Sequence, residues 1–377
     1  MRVILTGQVG LDKRRYVEAV AALAHSAGET IHLYHVGNRM YAEASDLRPG
    51  RILDLPLSRL HALRRSVFKD IIRESAGQEN VIVNTHATFR WRHGLFRAFD
   101  FDQMEELEPD RLICLVDNAE SVHHRLHREH ALDATLKDTM IWREEEIMAT
   151  ELLARAVGCH REFYVLSRGR DRVTAETCLR LSTRPAMPKV YPSFPMSHVV
   201  DMPDVLAEID GFRRELARHF IAFDPGDVDE KVLLERALEA VKSGVDFIDG
   251  SLLDENGERV TFPVSVKQTL DCARNIDGQI YARDFLLIDQ SDMICSYIPE
   301  LPGGIPGLSS GVERELHHAF EHGKEVYVVW KPARSPSPFI TETATKVFAS
   351  VEEALAHLMR TVHEGAPDGK PTGETVP

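Results

Sequence analysis

The sequence lacks any cysteine pairing pattern: Cys114, Cys159, Cys178, Cys272 and Cys295 are odd in number, scattered, and never in a CxxC. That excludes a disulfide framework or a zinc knuckle and leaves buried, reduced thiols as the expectation. No apolar run approaches the ~20 residues that span a bilayer, so no membrane insertion is expected. Basic residues are also short. Lys and Arg number 45 against 59 Asp and Glu, and 45 − 59 = −14 argues against general nucleic-acid or anionic-membrane binding. After Met1-Arg2 the chain runs through Val3-Ile4-Leu5 straight to Gly7, too short for the core of a signal peptide, and a cytoplasmic location is expected. What remains is a globular composition, 43% hydrophobic and 28% charged, over 377 residues. At ~100–200 residues per domain, that length predicts two domains.

Short β-rich runs alternate with helical patterns, as in parallel sheets flanked by helices. The spacing predicts strands over 2–6, 30–35, 80–84, 112–116 and 162–166, with helices over 13–27, 57–75 and 145–157. A second round predicts strands over 189–191, 220–223, 293–297 and 325–330, with helices over 205–219, 229–242, 279–288, 312–322 and 351–364. Asp254-Glu255-Asn256-Gly257 reads as the turn of an inserted hairpin or flap. Arg184-Pro185-Ala186-Met187-Pro188 resists both helix and strand and marks the join. The expected organisation is α/β with two doubly wound parallel-sheet domains: 1–168, a linker over 169–188, a second domain over 189–364, and a Gly/Pro/Thr-rich disordered tail over 365–377.

Directly after the first strand stands Gly7-Gln8-Val9-Gly10-Leu11-Asp12-Lys13-Arg14, a strand–loop–helix setting in which backbone N–H groups can cradle phosphate. Against GxxxxGK[ST], Gly7 and Lys13 match, Asp12 replaces the second glycine and Arg14 the magnesium-binding hydroxyl. Taken alone, Gly7 to Lys13 reads equally well as an ordinary strand-to-helix turn. Together with Val81-Ile82-Val83-Asn84-Thr85-His86-Ala87-Thr88, Leu107-Glu108-Pro109-Asp110-Arg111-Leu112-Ile113 and the run 143–156, this region resembles the archaeal-type adenylate kinases, P-loop nucleoside monophosphate kinases. The resemblance implies a nucleotide site using Gly7, Gly10, Lys13, His86 and Thr88, with ATP or another nucleotide bound there. It also implies a mobile lid carrying Arg125 and Arg128. Asn84 stands where that family has an aspartate near the metal, so with Asp12 and Arg14 the expectation is a domain whose kinase activity is lost or greatly weakened. His123, His127 and His130 recur at helical spacing, but they fall in the lid segment, and no metal is expected.

The second chemical region is Asp284 through Asp292 into the strand ending at Tyr297, then Ser309-Ser310-Gly311-Val312-Glu313-Arg314-Glu315-Leu316. A loop feeding a helix N-terminus can hold an anion, and Glu315 sits one turn inside that helix. This half resembles the nucleoside 2-deoxyribosyltransferases and their 2′-deoxynucleoside 5′-phosphate N-hydrolase branch, with a flavodoxin/Rossmann-like fold, over roughly 189–351. The resemblance implies Glu315 as the nucleophile at the sugar's anomeric carbon, in the manner of a retaining glycosidase. Asp284 is then the group handling the leaving base, with Asp292 as a further acidic member. Tyr191, Ser193 and Ser197 would line the sugar, and Ser309, Ser310 and Gly311 a 5′-phosphate. No cofactor is implied for that chemistry. Homodimers or higher homo-oligomers with shared sites are implied.

The expected function is cleavage of an N-glycosidic bond in a nucleotide or nucleoside, by hydrolysis or base exchange, with the kinase-like domain binding or sensing a nucleotide. The alternatives are an active nucleoside monophosphate kinase and a non-catalytic nucleotide sensor.

Overall fold

The computed structural model describes residues 1–48, 50–91, 94–169, 172–196, 199–253 and 258–364. The expected turn at 254–257, the tail at 365–377 and Ser197 lie outside them. The first half runs β1 (Arg2–Thr6), α1 (Lys13–Ser26), β2 (His32–His35), α2 (Val36–Glu43), α3 (Leu57–Ser75), β3 (Val81–Asn84), β4 (Thr88–Trp91), β5 (Gly94–Arg97), α4 (Phe101–Leu107), β6 (Arg111–Val116), α5 (Ala119–His130), α6 (Leu136–Ala156), β7 (Phe163–Ser167) and α7 (Arg172–Thr183). There follow β8 (Lys189–Ser193), α8 (Pro203–His219), β9 (Ile221–Ala222), α9 (Lys231–Lys242), β10 (Phe247–Leu253), β11 (Arg259–Ser265), α10 (Val266–Asp271) and α11 (Ala273–Asp289). The chain closes with β12 (Met293–Ile298), β13 (Glu300–Leu301), β14 (Ile305–Pro306), α12 (Ser310–Glu321), β15 (Glu325–Trp330), α13 (Pro338–Thr341), β16 (Lys346–Phe348) and α14 (Val351–Glu364).

The fold is α/β with two five-stranded parallel sheets, as the alternation of runs predicts. Their orders are β2-β3-β1-β6-β7 and β16-β15-β12-β8-β9. The interior strands read as continuous apolar runs because both faces are covered, and β6 and β12 are buried at every position. Helix α3 shows why the helical patterns were legible: Leu60, Val67, Phe68 and Ile71 recur at turn spacing and bury one stripe against the first sheet's core.

Two compact units divide the chain. One is Met1–Met187 with Pro225–Gln290; the other is Pro188–Asp224 with the described residues from Ser291 on. This corrects the expected organisation twice. The segment 169–188 is not a linker, because α7 packs on α1 and Tyr16 Oη donates to the Thr174 carbonyl at 2.8 Å. The segment 225–290, expected in the second domain, belongs to the first unit. Its helices meet α5 and α6 through an apolar cluster of Ala119, Leu136 and Met140 with Leu234, Cys272 and Ile276.

A buried charge cluster fixes the same attachment. Glu230 is 1% exposed, accepts from Ala119 N at 3.1 Å, and is bound by the guanidinium of Arg143 and by that of Arg283 at 3.3 Å. Arg143 also donates to the Asp117 carbonyl at 3.0 Å and to Gln279 at 2.6 Å. Burial alone pushes the Glu230 carboxyl up, but the two arginines and the hydrogen bonds outweigh it and hold it at about 2. Its folded pKa lies below the unfolded value of 4.5, so the stability it contributes is present above pH 4.5 and is lost as pH falls towards 2. Glu230→Gln is expected to cost about 3 kcal/mol at pH 7, with the gap from wild type closing through that acid window in urea melts. A constant gap from pH 7 to pH 2 would show that the charge is not the cause.

Candidate functional site

The loop between β1 and α1 is dictated by its glycines. Gly7 has φ 140° and Gly10 φ 87°. A Cβ on Gly7 would sit 2.7 Å from the Leu115 carbonyl oxygen, and one on Gly10 3.1 Å from that of Val122. Asp12 follows at φ 52° and leads into α1 without capping it. Its carboxylate lies 3.4 Å from the guanidinium of Arg168, which offsets its charge beside the loop.

Lys13 is buried beneath this loop, with Nζ donating to the carbonyls of Gly7 at 2.5 Å and Gln8 at 3.4 Å. Burial lowers it to about 7, against a smaller upward pull from Glu146. His86 Nδ1 lies 2.7 Å from the Gly7 carbonyl oxygen and 3.0 Å from Lys13 Nζ, with Nε2 3.3 Å from the same Nζ. Burial first, and Lys13 second, hold His86 well below its ordinary value, so the ring is neutral at pH 7.

Glu146, on α6, organises the loop and was not singled out from the sequence. Its carboxylate accepts from Gly7 N at 2.9 Å, Ala87 N at 2.7 Å, Thr88 N at 2.7 Å and Thr88 Oγ1 at 2.6 Å. The signal was present as a polar stripe, Thr139, Arg143, Glu146 and Thr150, recurring at turn spacing on the buried face of α6. Thr88 therefore serves this clamp rather than a ligand. Arg125 is likewise corrected: it is 4% exposed, pairs with Asp117 at 3.0 Å and donates to the Gly10 carbonyl at 3.2 Å, so it braces the loop from within α5. Arg128 is exposed on the same helix. His123 and His127 pair with ring centroids 4.3 Å apart, and burial, then His127, lower His123 to about 4. His130 borders the loop instead.

A cavity of about 370 Å³ opens over the loop. Its lining combines polar side chains, among them Lys13, Arg14, His35, Asn84 and His86, with apolar ones, among them Met40, Leu53, Leu60, Phe89 and Trp91. Arg64, 2% exposed and paired with Asp100 at 3.2 Å, also borders it, and the sequence reading missed it. The residues present do not fit the Mg²⁺ ion of a P-loop kinase. Arg14 stands in the hydroxyl position, Asn84 in the carboxylate position with its amide 3.1 Å from His35 Nδ1, and Asp12 is offset by Arg168.

Residues 13–140 match the AAA domain family. In structure the chain is similar to shikimate kinase from Bacteroides thetaiotaomicron, at 17% identity and a TM-score of 0.32, over 48% of this chain and 94% of that one. It is also similar to a gluconokinase from Sinorhizobium meliloti 1021, at 14% identity and a TM-score of 0.29, over 48% and 88%. No curated protein matches the chain. These matches lend no support to the expectation of lost kinase activity, which rests on Asp12, Arg14 and Asn84 alone. Neither the family match nor these two neighbours extends a deoxyribosyltransferase likeness to the C-terminal half.

In the second unit, Glu315 lies where the strand order reverses between β8 and β12, the place where open α/β sheets receive ligands. Its carboxylate accepts from Tyr191 Oη at 3.1 Å and Ser193 Oγ at 2.6 Å, and Ser296 Oγ donates to Ser193 Oγ at 3.4 Å. Val312, Leu316 and Ala319 bury one face of α12 and bring Glu315 onto the sheet's end. Burial raises its pKa, opposed by the bonds from Ser193 and Tyr191. Asp292 is at the opposite end of β12, accepting from Lys189 N at 2.8 Å, so it ties strand entrances together and is not part of this group. Asp284 lies on α11 of the first unit, a helix held there by Arg283, Leu287 and Ile288. Ser309 caps α12 by accepting from Val312 N at 3.2 Å, while Ser310 and Gly311 are exposed.

Proposed function

We propose that the chain is a P-loop phosphotransferase of the small-molecule kinase type, with a nucleoside or nucleotide as acceptor in the 370 Å³ cavity. The observation that carries this reading is Lys13, buried at the loop and bordering a cavity that aromatic and aliphatic side chains also line. That is the chemistry for holding a phosphate and a planar base. Lys13, the loop amides and the α1 N-terminus bind and orient the transferred phosphate, and the Glu146 clamp keeps the strand ends from spreading. The test is ADP formation from ATP with a panel of nucleosides and nucleoside monophosphates. Turnover above the ATP-alone background with at least one acceptor is expected; none with any acceptor removes the proposal.

A pH signature follows from the lysine. With a pKa of about 7 in the free protein, Lys13 is largely neutral at pH 8, while a bound phosphate favours its charged form. Binding of ATP at pH 8 is therefore expected to take up close to one proton, and affinity to fall as pH rises above 7, by up to about tenfold per unit. Calorimetry in two buffers of different ionisation enthalpy reads this directly; equal heats in both would contradict it.

The second reading is N-glycosidic bond cleavage at Glu315. It is supported by one observation, the carboxylate held by Tyr191 and Ser193 at the switch point of the second sheet. Incubation of the intact protein with deoxynucleotides and nucleosides, followed by detection of free base, tests it. Absence of release, or release that survives Glu315→Gln, ends it.

A further inference from the structure

We infer that the loop takes its polyphosphate ligand as the metal-free anion, with Arg14, Arg15 and Arg128 supplying the positive charge that Mg²⁺ brings to other P-loops. The inference rests on the reading of this loop as a polyphosphate site and concerns what neutralises the ligand there. Two independent observations lead to it. The first is the misfit of the donor set: an arginine replaces the metal-binding hydroxyl, and an amide engaged with His35 replaces the carboxylate. A cation at the hydroxyl position does more than fail to ligate Mg²⁺. It repels the dication from the place where the metal would bridge loop and phosphate.

The second observation is a further cavity of about 840 Å³ on the other flank of the same loop, walled by α1, α5 and the β10–β11 hairpin. It shares Asp12, Arg14 and Glu129 with the 370 Å³ cavity, so the two meet at the N-terminus of α1. Arg15 and Arg128 border it, and neither has an ion-pair partner among the described residues. Among the described residues Arg14 pairs only with Glu18, and both side chains are largely exposed, at 61% and 47%, so the pair holds the guanidinium weakly. Of the acidic groups facing the cavity, Asp12 is offset by Arg168, Glu18 is the partner just named, and Glu129, exposed and bordering both cavities, lies in the field of Arg125 and Arg128. Arg125 is committed to Asp117 and is not counted. In a chain with a net charge of −14, two guanidinium groups at the start of α1 and one in the last turn of α5, all bordering one cavity, form a local anion clamp.

The hairpin gives the clamp its apolar side. Leu252, Leu253 and Val260 line the cavity along with the arginines, so a ligand with phosphates towards α1 and a nucleoside towards the hairpin suits the lining. This places a segment from the sequence's second half, attached through Glu230, in the wall of the loop's ligand site.

Equilibrium binding of ATP to the intact chain at fixed ionic strength, in EDTA and in excess Mg²⁺, tests the inference. ATP is expected to bind in EDTA as tightly as in Mg²⁺ or more tightly. Arg14→Ser, which restores the hydroxyl, and Arg128→Gln are each expected to weaken binding in EDTA by about tenfold; Arg14→Ser is also expected to gain a preference for Mg²⁺. Both positions are exposed, so the variants fold. Wild-type binding weakened tenfold or more by EDTA overturns the inference, as does unchanged EDTA binding in both variants, or no ATP binding in either condition. Turnover is read separately. Metal-free binding with no phosphorylated acceptor sinks the kinase reading and leaves this inference standing; turnover with ATP binding only in Mg²⁺ does the reverse.

Discussion

Lys13→Met is expected to lower ADP formation by at least about 100-fold while leaving the unfolding midpoint unchanged or raised. The two halves of that expectation have one cause. A lysine whose ammonium is buried to the point that its pKa falls from 10.5 to about 7 has been placed against its own solvation, and the charge is worth that cost only when an anion arrives. Because the folded pKa lies below the unfolded one, the penalty on stability is present in full below pH 7 and fades as pH rises towards 10.5. Methionine is of similar length and carries no charge to desolvate, so it removes the penalty along with the phosphate contact. Carbonyl oxygens of Gly7 and Gln8 lose a donor, which limits the gain. Phosphoryl transfer that persists above one-tenth of wild type would mean that the loop does not hold the transferred group. A variant that no longer folds would mean that the lysine's bonds to the loop outweigh its burial.

Glu146→Ala is the second large effect, expected to destabilise the first unit by about 4 kcal/mol in chemical denaturation. Four donors converge on this carboxylate, three of them backbone N–H groups that cannot turn elsewhere. Leaving such groups buried and unpaired costs roughly 1–3 kcal/mol each, and water entering the space left by the side chain recovers part of it. Glu146→Gln keeps the volume but presents one accepting oxygen in place of two, and about half the loss is expected. Removing the carboxylate also removes the upward pull on Lys13, so proton uptake on ATP binding should extend to lower pH in Glu146→Gln than in wild type. Unfolding free energies within about 1 kcal/mol of wild type for the alanine variant would show that the clamp is not structural.

Much of the fold was legible because it depends on local chemistry. The helix read over 57–75 is α3, since the recurrence of Leu60, Val67, Phe68 and Ile71 is a property of the segment itself. The loop after β1 was legible for the same reason: Gly7 and Gly10 occupy backbone regions that a side chain would strain, and a sequence shows glycine directly. The individual site assignments fared unevenly. Thr88 and Arg125 have the right chemistry for phosphate contact, but a buried acid, Glu146 for one and Asp117 for the other, had already engaged each of them. Asp292 and Glu315 are both acidic residues near a strand of the second sheet, and only the parallel register shows that they belong to opposite ends of it.

By itself, the sequence determined the α/β class, the alternation that builds two parallel sheets, the glycine loop and the carboxylate on α12, because periodicity, backbone freedom and residue type are carried by neighbours in the chain. Only the tertiary structure decided that 225–290 returns to the first unit, that α7 is part of that unit, and that Glu146 closes the loop. Those outcomes depend on which buried charge meets which partner across more than fifty residues of chain, as Glu230 meets Arg143 and Glu146 meets Gly7. A lone ionised group in the interior is untenable, and the fold that satisfies all of them together is not written in any one segment.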